Sequence, residues 1–517
     1  MKLKTTKKLL SLGLVSAMTA GLLAGCGGGE NASESDSGDS NDITTLTWYM
    51  SINPVAADTD VVIEELNKYT REKIGVEIDY NVLANPDYKE KMPNLINAGE
   101  YFDICFTSNW TTDYLQFAGR DAFMDITDLL PEYAKETYDF VPEEVWNAVK
   151  VGGKIYGVPS YKEMGWQGGI VYNSDIAEEY GIDMTNVKTI GDYTQVLQTV
   201  SEKSQAAGQD VIGVSGLINA WSMAAPYESL TGNTTLPAAA AVPEYDNFKD
   251  MSGETVFNQY ASEEYMNYCK TVYEWNQAGY LGGDPVNYDS DTANRDNDFN
   301  NGKLFSYFIK NAPGNVEMMA ETSGHGVGFV SLMDPLFETS SATGGLLAVS
   351  SASEHPEKAL EFINLLNTDE YVGTLIRHGI EGKHYTAVGE NQVDRTMGGT
   401  LNPADNGYDY TYGWQFGTPF NQKWDISYPE NIEELFQEYN DSVVISPNNG
   451  FAFDMVPVET QVAALTNVIA EYGPSLETGS VNPEEYIPAF LDNLEANGAQ
   501  ELIDEVSAQL EEYNTSR

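Results

Sequence analysis

Thr45-Leu46-Thr47-Trp48-Tyr49, Val76-Glu77-Ile78-Asp79-Tyr80 and Phe102-Asp103-Ile104-Cys105-Phe106 are three short runs separated by two helical patterns. The first pattern, over 61–74, carries Val61, Val62, Leu66, Tyr69 and Ile74 and stops at Gly75; the second, over 88–98, stops at Gly99. Alternating or apolar runs of β-branched and aromatic residues read as strands, and amphipathic runs that end in glycine read as helices. Strand, helix, strand, helix, strand predicts an open, mostly parallel α/β sheet. Ligands of such sheets sit off the carboxyl ends of the strands. Those ends carry Trp48 and Tyr49, and the run Thr107-Ser108-Asn109-Trp110.

Further along, strands are predicted at 170–173, 211–214 and 304–308, with helices near 190–205 and 263–278. Residues 233–260 have no clear period and read as an insertion. Strand 346–349 and helix 356–366 resume the style of the opening. At 517 residues the chain is too long for a single core and comfortable for two lobes.

Before the first strand lies a different kind of sequence. Lys2, Lys4, Lys7 and Lys8 precede an apolar stretch, 9–23, that is too short for a stable membrane span and has the layout of a secretory signal. It ends Leu23-Ala24-Gly25-Cys26, which resembles the lipobox of bacterial lipoproteins. The resemblance implies cleavage after residue 25 and a diacylglycerol on Cys26, with palmitate-type chains anchoring the protein to the outer face of the cytoplasmic membrane of a Gram-positive-type bacterium. Residues 26–43, rich in Gly, Ser and Asp, read as a disordered acidic tether spanning about 20–24 Å. No other stretch approaches 18 uninterrupted apolar residues, so the membrane is met through lipid only.

The formal charge is −52, and the signal region contributes only cations, so the mature chain is more acidic still. A surface of that sign repels phosphate, which excludes nucleic acid and anionic lipid as partners. Tyr 32, Phe 19 and Trp 8 suit a carbohydrate binder, because sugar rings lay flat C–H faces on aromatic faces, although many of these rings will be core. Cys105 and Cys269 lie in apolar surroundings and read as free buried thiols. Neither has neighbours at metal-ligand spacing, and no cofactor is expected.

Several enzyme readings fail on their own residues. Gly213-Val214-Ser215-Gly216-Leu217 lacks the last glycine of a nucleophile elbow. Residues 296–301 alternate oxygens as a calcium loop does, but Asn301 stands at the turn and Tyr307 where the bidentate Glu belongs. Acid pairs are too frequent to nominate a glycosidase. His378 and His384 are spaced wrongly for one helical face and read as structural.

Taken in order, several segments resemble the extracellular family 1 solute-binding proteins of ABC transporters. They are the opening strand at 45–49, Tyr101-Phe102-Asp103-Ile104, Gly153-Lys154-Ile155-Tyr156-Gly157-Val158-Pro159, Val171-Tyr172-Asn173, Asn301-Gly302-Lys303 and His355-Pro356-Glu357-Lys358-Ala359. Gly379-Ile380-Glu381-Gly382-Lys383-His384-Tyr385, Gly450-Phe451-Ala452-Phe453-Asp454 and Ala463-Ala464-Leu465-Thr466-Asn467-Val468 resemble the LipO-type lipoproteins of that family, whose C-terminal domain has no assigned function. The resemblance implies a type II periplasmic-binding-protein fold, two α/β lobes on a hinge of two or three strands. Lobe 1 would take 44–163 and about 340–400; lobe 2 would take 164–339 and about 401–517. Gly165 to Gly169 and Gly344-Gly345 fit hinge positions.

The implied function is a monomeric, lipid-anchored receptor that hands a sugar or oligosaccharide to ABC permease subunits, not an enzyme. A peptide or other solute receptor, or a surface sensor or carbohydrate-active protein on the same scaffold, is the alternative. In maltodextrin-binding relatives the loop after the Asp-Ile strand and the first crossover both touch sugar. Here those places hold Thr107, Asn109, Trp110 and Trp166, and the tryptophans replace carboxylates, which argues against a maltodextrin. The remaining candidates are Trp48, Tyr49, Asn219, Trp221, Lys310, Asn311, Tyr412 and Trp414.

Overall fold

The computed structural model describes residues 43–52, 55–224, 226–232, 235–245, 252–402, 405–408 and 413–516. The expected signal, Cys26 and the tether lie outside the described residues.

The opening pattern builds the first lobe. Strand Thr44–Ser51 pairs in parallel with Val76–Leu83 on one side and Ile104–Thr107 on the other. Helices Thr59–Ile74 and Asn85–Ala98 form the two crossovers and stop at Gly75 and Gly99, as read from the sequence. Strand Leu346–Val349 then inserts antiparallel beside Ile104–Thr107, and Gly157–Pro159 closes the five-stranded sheet. A chain segment from residue 346 thus sits in the middle of a sheet begun at residue 44. The core includes Leu46, Trp48, Val62, Leu66, Ile104 and Phe106 with Leu360, Phe362 and Ile363 of helix Pro356–Thr368.

The second lobe has a four-stranded mixed sheet in the order Val327–Ser331, Gln167–Asn173, Leu304–Asn311, Ile212–Ser215. Gln167–Asn173 runs antiparallel to both its neighbours, so its first residues lie beside the last residues of Leu304–Asn311. Helices Ile190–Ala207 and Glu263–Gln277 contribute Tyr193, Leu197, Val272 and Trp275 to its core. The aperiodic segment expected as an insertion contains Ala238–Ala240 and Val256–Asn258, which form a small antiparallel sheet with Glu228–Ser229. Residues 296–300, weighed as a calcium loop, belong to helix Thr292–Asn300.

The chain crosses between the two cores three times, and the crossings meet in one place. Trp166 exchanges two backbone hydrogen bonds with Leu336, each 2.9 Å. Leu336–Phe337 pairs in parallel with Val444–Ile445. Asn440 ties the third crossing to the first, its side chain bonding the Lys162 carbonyl at 3.0 Å and the Met164 N–H at 2.7 Å. Gly165 lies where the first two cross: a Cβ there would stand 2.2 Å from the Leu336 carbonyl oxygen, and φ is +75°.

One expected boundary needs correction. Tyr408 and Phe416, assigned from sequence to lobe 2, are buried in the first core against helices Pro356–Thr368 and Glu370–His378. Helices Glu459–Glu477, Pro483–Ala496 and Ala499–Ser516 pack into the second core through Leu465, Leu476, Phe490, Leu494, Val506 and Leu510.

Candidate functional site

The loop leaving strand Ile104–Thr107 is fastened by its own polar residues. Ser108 Oγ accepts from the Thr111 N–H at 3.0 Å, and Asp113 caps helix Tyr114–Ala118 by accepting from Gln116 N at 2.8 Å. Thr107 is fully buried, its hydroxyl given to the Thr112 carbonyl. It shapes the loop and cannot meet a ligand, which corrects its candidacy. The next residues turn outward. Asn109 Nδ2 donates to the Ser340 carbonyl at 3.0 Å, and its backbone N–H to Thr343 at 2.8 Å. Trp110 donates its indole N–H to the Gly344 carbonyl at 2.9 Å and remains 37% exposed.

Trp414 comes to the same wall from far along the chain. Its ring centroid is 6.4 Å from that of Trp110, at an interplanar angle of 63°, with Phe106 behind both. Two features place it. A Cβ on Gly345 would lie 2.7 Å from the Trp414 ring, so only glycine leaves room. Arg377, 2% exposed, donates to the carbonyls of Gly413, Gly417 and Thr418 at 2.9, 3.2 and 2.7 Å and so grips the turn that carries Trp414. Lys162 Nζ lies 5.6 Å from the Trp414 ring centre.

On the second lobe, Trp166 opens strand Gln167–Asn173 and Lys310 ends its neighbour, with Lys310 Nζ 4.1 Å above the indole. Lys310 is an exposed residue, but the protein packed around its ammonium pushes its pKa down, the Glu338 charge opposing. Asn311 is half-buried opposite Gln167. Asn219 is exposed in a left-handed conformation, its N–H on the buried carboxylate of Glu477 at 2.5 Å.

Two candidates, Trp48 and Trp221, are corrected by burial. Trp48, fully buried, lies among Tyr80, Phe362 and Phe416 in the first core. Trp221, 2% exposed, stacks on Tyr227 and donates to Gln259 in the second core. Tyr49 is half-buried against Phe102, with Lys91 over its ring. Tyr412 lies outside the described residues. His384 is buried, with Nε2 3.1 Å from Asp58 and Nδ1 accepting from Ile380 N. Burial pushes the His378 pKa down to about 4. Cys105 and Cys269 are both free and buried.

Between the lobes is a cavity of about 610 Å³. Asn109, Trp110, Gln116 and Arg120 line it from the first lobe, Glu228, Ser229 and Thr231 from the second, and Thr339, Ser340 and Thr343 from the second crossing. The volume falls in the range that buries small-molecule ligands. Amide and hydroxyl groups around an indole suit a ligand with hydroxyls to pair and an apolar ring face to stack. No cluster of three or more His, Cys, Asp or Glu disposed to hold a metal occurs among the described residues.

Two acids in this region carry no sequence signal. Glu228 and Glu338 are both buried, at 2% exposure. Burial pushes Glu228 up to about 8, and the neighbouring Glu338 charge adds to it, while Ser446 and Asn448 oppose. Burial also raises Glu338, against Ser340, Lys310, the Ser229 N–H and Trp166. Burial likewise lifts Glu477 to about 7. An acid that holds its proton more tightly folded than unfolded stabilises at low pH, and that stability is lost as pH rises through its folded pKa. Ordinary carboxylates are ionised by pH 6, so a decline in melting temperature between pH 6 and 8.5 is assigned to these groups. The expected result is a falling melting temperature across that window, flattened in Glu228→Gln. A decline of equal slope in the variant would remove Glu228 from the account.

The family model described as bacterial extracellular solute-binding protein matches residues 64–378, and one described as a domain of unknown function matches 447–515. A carbohydrate ABC transporter substrate-binding protein of Streptococcus pneumoniae serotype 4 is 25% identical over 516 residues, 96% of each chain. The N-glycan transport solute binding protein NgtS of Streptococcus pneumoniae superposes with a TM-score of 0.78 at 23% identity, over 91% of this chain and 99% of that one. A solute-binding protein from Bifidobacterium longum infantis, described as HMO binding, gives 0.61 at 15% identity, over 91% and 99%. At these identities the likeness is one of fold. With its match running from the first helix of lobe 1 to the helix that holds Arg377, this chain belongs to the bacterial extracellular solute-binding proteins.

Proposed function

We propose that the protein is the saccharide receptor of an ABC importer, held by lipid on Cys26 and closing its two lobes around the sugar. The single observation that carries the reading is Trp110, held by its bond to Gly344 and neighboured by the Trp414 ring, in the lining of a cavity rich in amide and hydroxyl groups. Rings held this firmly lose little freedom when a sugar stacks on them, which favours binding. The narrow meeting of three crossings, at Trp166, Leu336 and Val444, supports hinge motion, because few backbone angles need to change there. The carbohydrate description of the Streptococcus pneumoniae relative, similar over 96% of both chains, points the same way. An anchored receptor stays near its permease, and the tether then sets a high effective concentration.

The test is a thermal-shift panel of mono- and oligosaccharides on the soluble chain, with Man1GlcNAc and Man5GlcNAc included because NgtS was solved with each. A ligand at a hundred times its Kd stabilises by about 2.7 kcal/mol, enough for a clear shift. The expected outcome is a shift with at least one saccharide, none with peptides, and no turnover of the sugar. Stabilisation by peptides alone, or release of products, would overturn the reading. For the anchor, Cys26→Ala is expected to appear in the medium, and a variant retained at the membrane would remove the lipid from the account.

A further inference from the structure

The cavity has a third wall. Beyond the two faces given by Asn109 to Arg120 and by Glu228 to Thr231, it is lined by Phe451, Ala452, Phe453, Asp454, Met455 and Val456, all within the region matched only as a domain of unknown function. Phe451 and Phe453 are buried in the second core and act as pegs, while Met455 is half-buried and Val456 is 54% exposed. The last helix holds this segment in place. Gln509 bonds the Asp454 backbone twice, accepting from N–H at 2.8 Å and donating to the carbonyl at 2.9 Å. Tyr513 donates to the Asn449 carbonyl at 2.8 Å. Asn448 bonds Glu228 and the Gly253 carbonyl, and Gly450 N–H reaches Thr339 Oγ1 at 3.0 Å. Asn449 Nδ2 crosses to the first lobe, donating to the Glu144 carbonyl at 2.9 Å.

Facing this wall, Gln116 and Arg120 are exposed on the first lobe. Arg120 has no side-chain partner among the described residues, in a chain with 79 acids to 27 bases. A guanidinium offers five donors in a planar fork and suits vicinal hydroxyls.

We propose that segment 451–456 is a specificity wall. With Gln116 and Arg120 opposite, it forms a subsite for the outer units of an oligosaccharide whose inner unit stacks on Trp110, so the receptor prefers chains longer than a disaccharide. This rests on the saccharide reading above. It gives the C-terminal helices a role: packed into the second lobe, they hold one side of the cleft in place. Gln509 and Tyr513 are positioning residues in that role.

The test uses isothermal titration of the soluble chain with Man1GlcNAc and Man5GlcNAc. Val456→Trp fills the subsite from the third wall at an exposed position, and Arg120→Ala removes its donor from the opposite one. The wild-type chain is expected to bind the longer glycan at least tenfold tighter. Each variant is expected to cut that ratio below threefold and leave the Kd for Man1GlcNAc within twofold, with an unchanged melting temperature. Equal wild-type affinities, or variants that weaken both glycans alike, would overturn the wall and leave the saccharide reading standing. A wild-type chain that binds neither glycan, yet is stabilised by other sugars, overturns this proposal alone. One stabilised by no sugar overturns both.

Discussion

Arg377→Ala is expected to lower the melting temperature by about 10 °C or more and to abolish ligand binding at the temperatures where the wild type binds. The residue is 2% exposed on helix Glu370–His378. Its guanidinium donates to four carbonyls, those of Gly373, Gly413, Gly417 and Thr418, and to no carboxylate among the described residues. Burial drives its pKa down to about 9, so the site tolerates the charge only because the carbonyl dipoles converge on it. Alanine strands those oxygens, each buried acceptor left unmet costing about 1–3 kcal/mol, and opens a cavity besides. Even with poor additivity the sum is about 4–6 kcal/mol, a large part of the 5–15 kcal/mol that holds a typical domain together. Arg377→Lys keeps the charge but not the fork, and is expected to fall between. Differential scanning calorimetry decides the matter: a melting temperature for Arg377→Ala within 2 °C of wild type would falsify this account of the turn.

Trp110→Ala is the largest expected effect on function with little on stability. The indole is 37% exposed, so its removal opens no core void. What is lost is a face held in register by the hydrogen bond to Gly344 and backed by Phe106. Truncation of a central tryptophan anchor commonly costs 2–4 kcal/mol, which is about thirty- to a thousandfold in Kd. Trp110→Phe keeps a stacking face without the indole donor and is expected to recover part of the loss. Titration with the best saccharide of the thermal-shift panel measures both. An alanine variant that binds within threefold of wild type would show that the sugar lies elsewhere in the cleft.

The difference between Trp110 and Trp48 shows how far sequence carries a site. Both are tryptophans at or just beyond an apolar strand, and both follow from the same strand-end rule. Trp48 lies within Thr44–Ser51, flanked by paired strands on both sides, and its face is covered by helix Pro356–Thr368, more than 300 residues downstream. Trp110 lies three residues past the end of its strand, backed by Phe106 and flanked by Trp414, yet 37% exposed. The period reveals strands and helices, because both are local; it does not reveal which distant helix lies on which face. The same holds for Arg377, whose acceptors include a turn 36–41 residues away. Ala238–Ala240 forms a strand without any β-branched residue, because its partners and burial, and not its propensity, decide its state. Nothing in the run Phe451 to Val456 announces that it lines a cavity.

The strand Leu346–Val349, wedged into a sheet begun 300 residues earlier, also sets a clock. Neither core is complete in a contiguous piece of chain: the first needs residues 46–416, and the second runs to Leu510. Contacts so distant in sequence fold slowly, and a chain emerging residue by residue cannot complete either lobe until nearly all of it is out. Under the export that the proposed anchor on Cys26 requires, that delay is an advantage: a chain that cannot complete either core early stays open for threading.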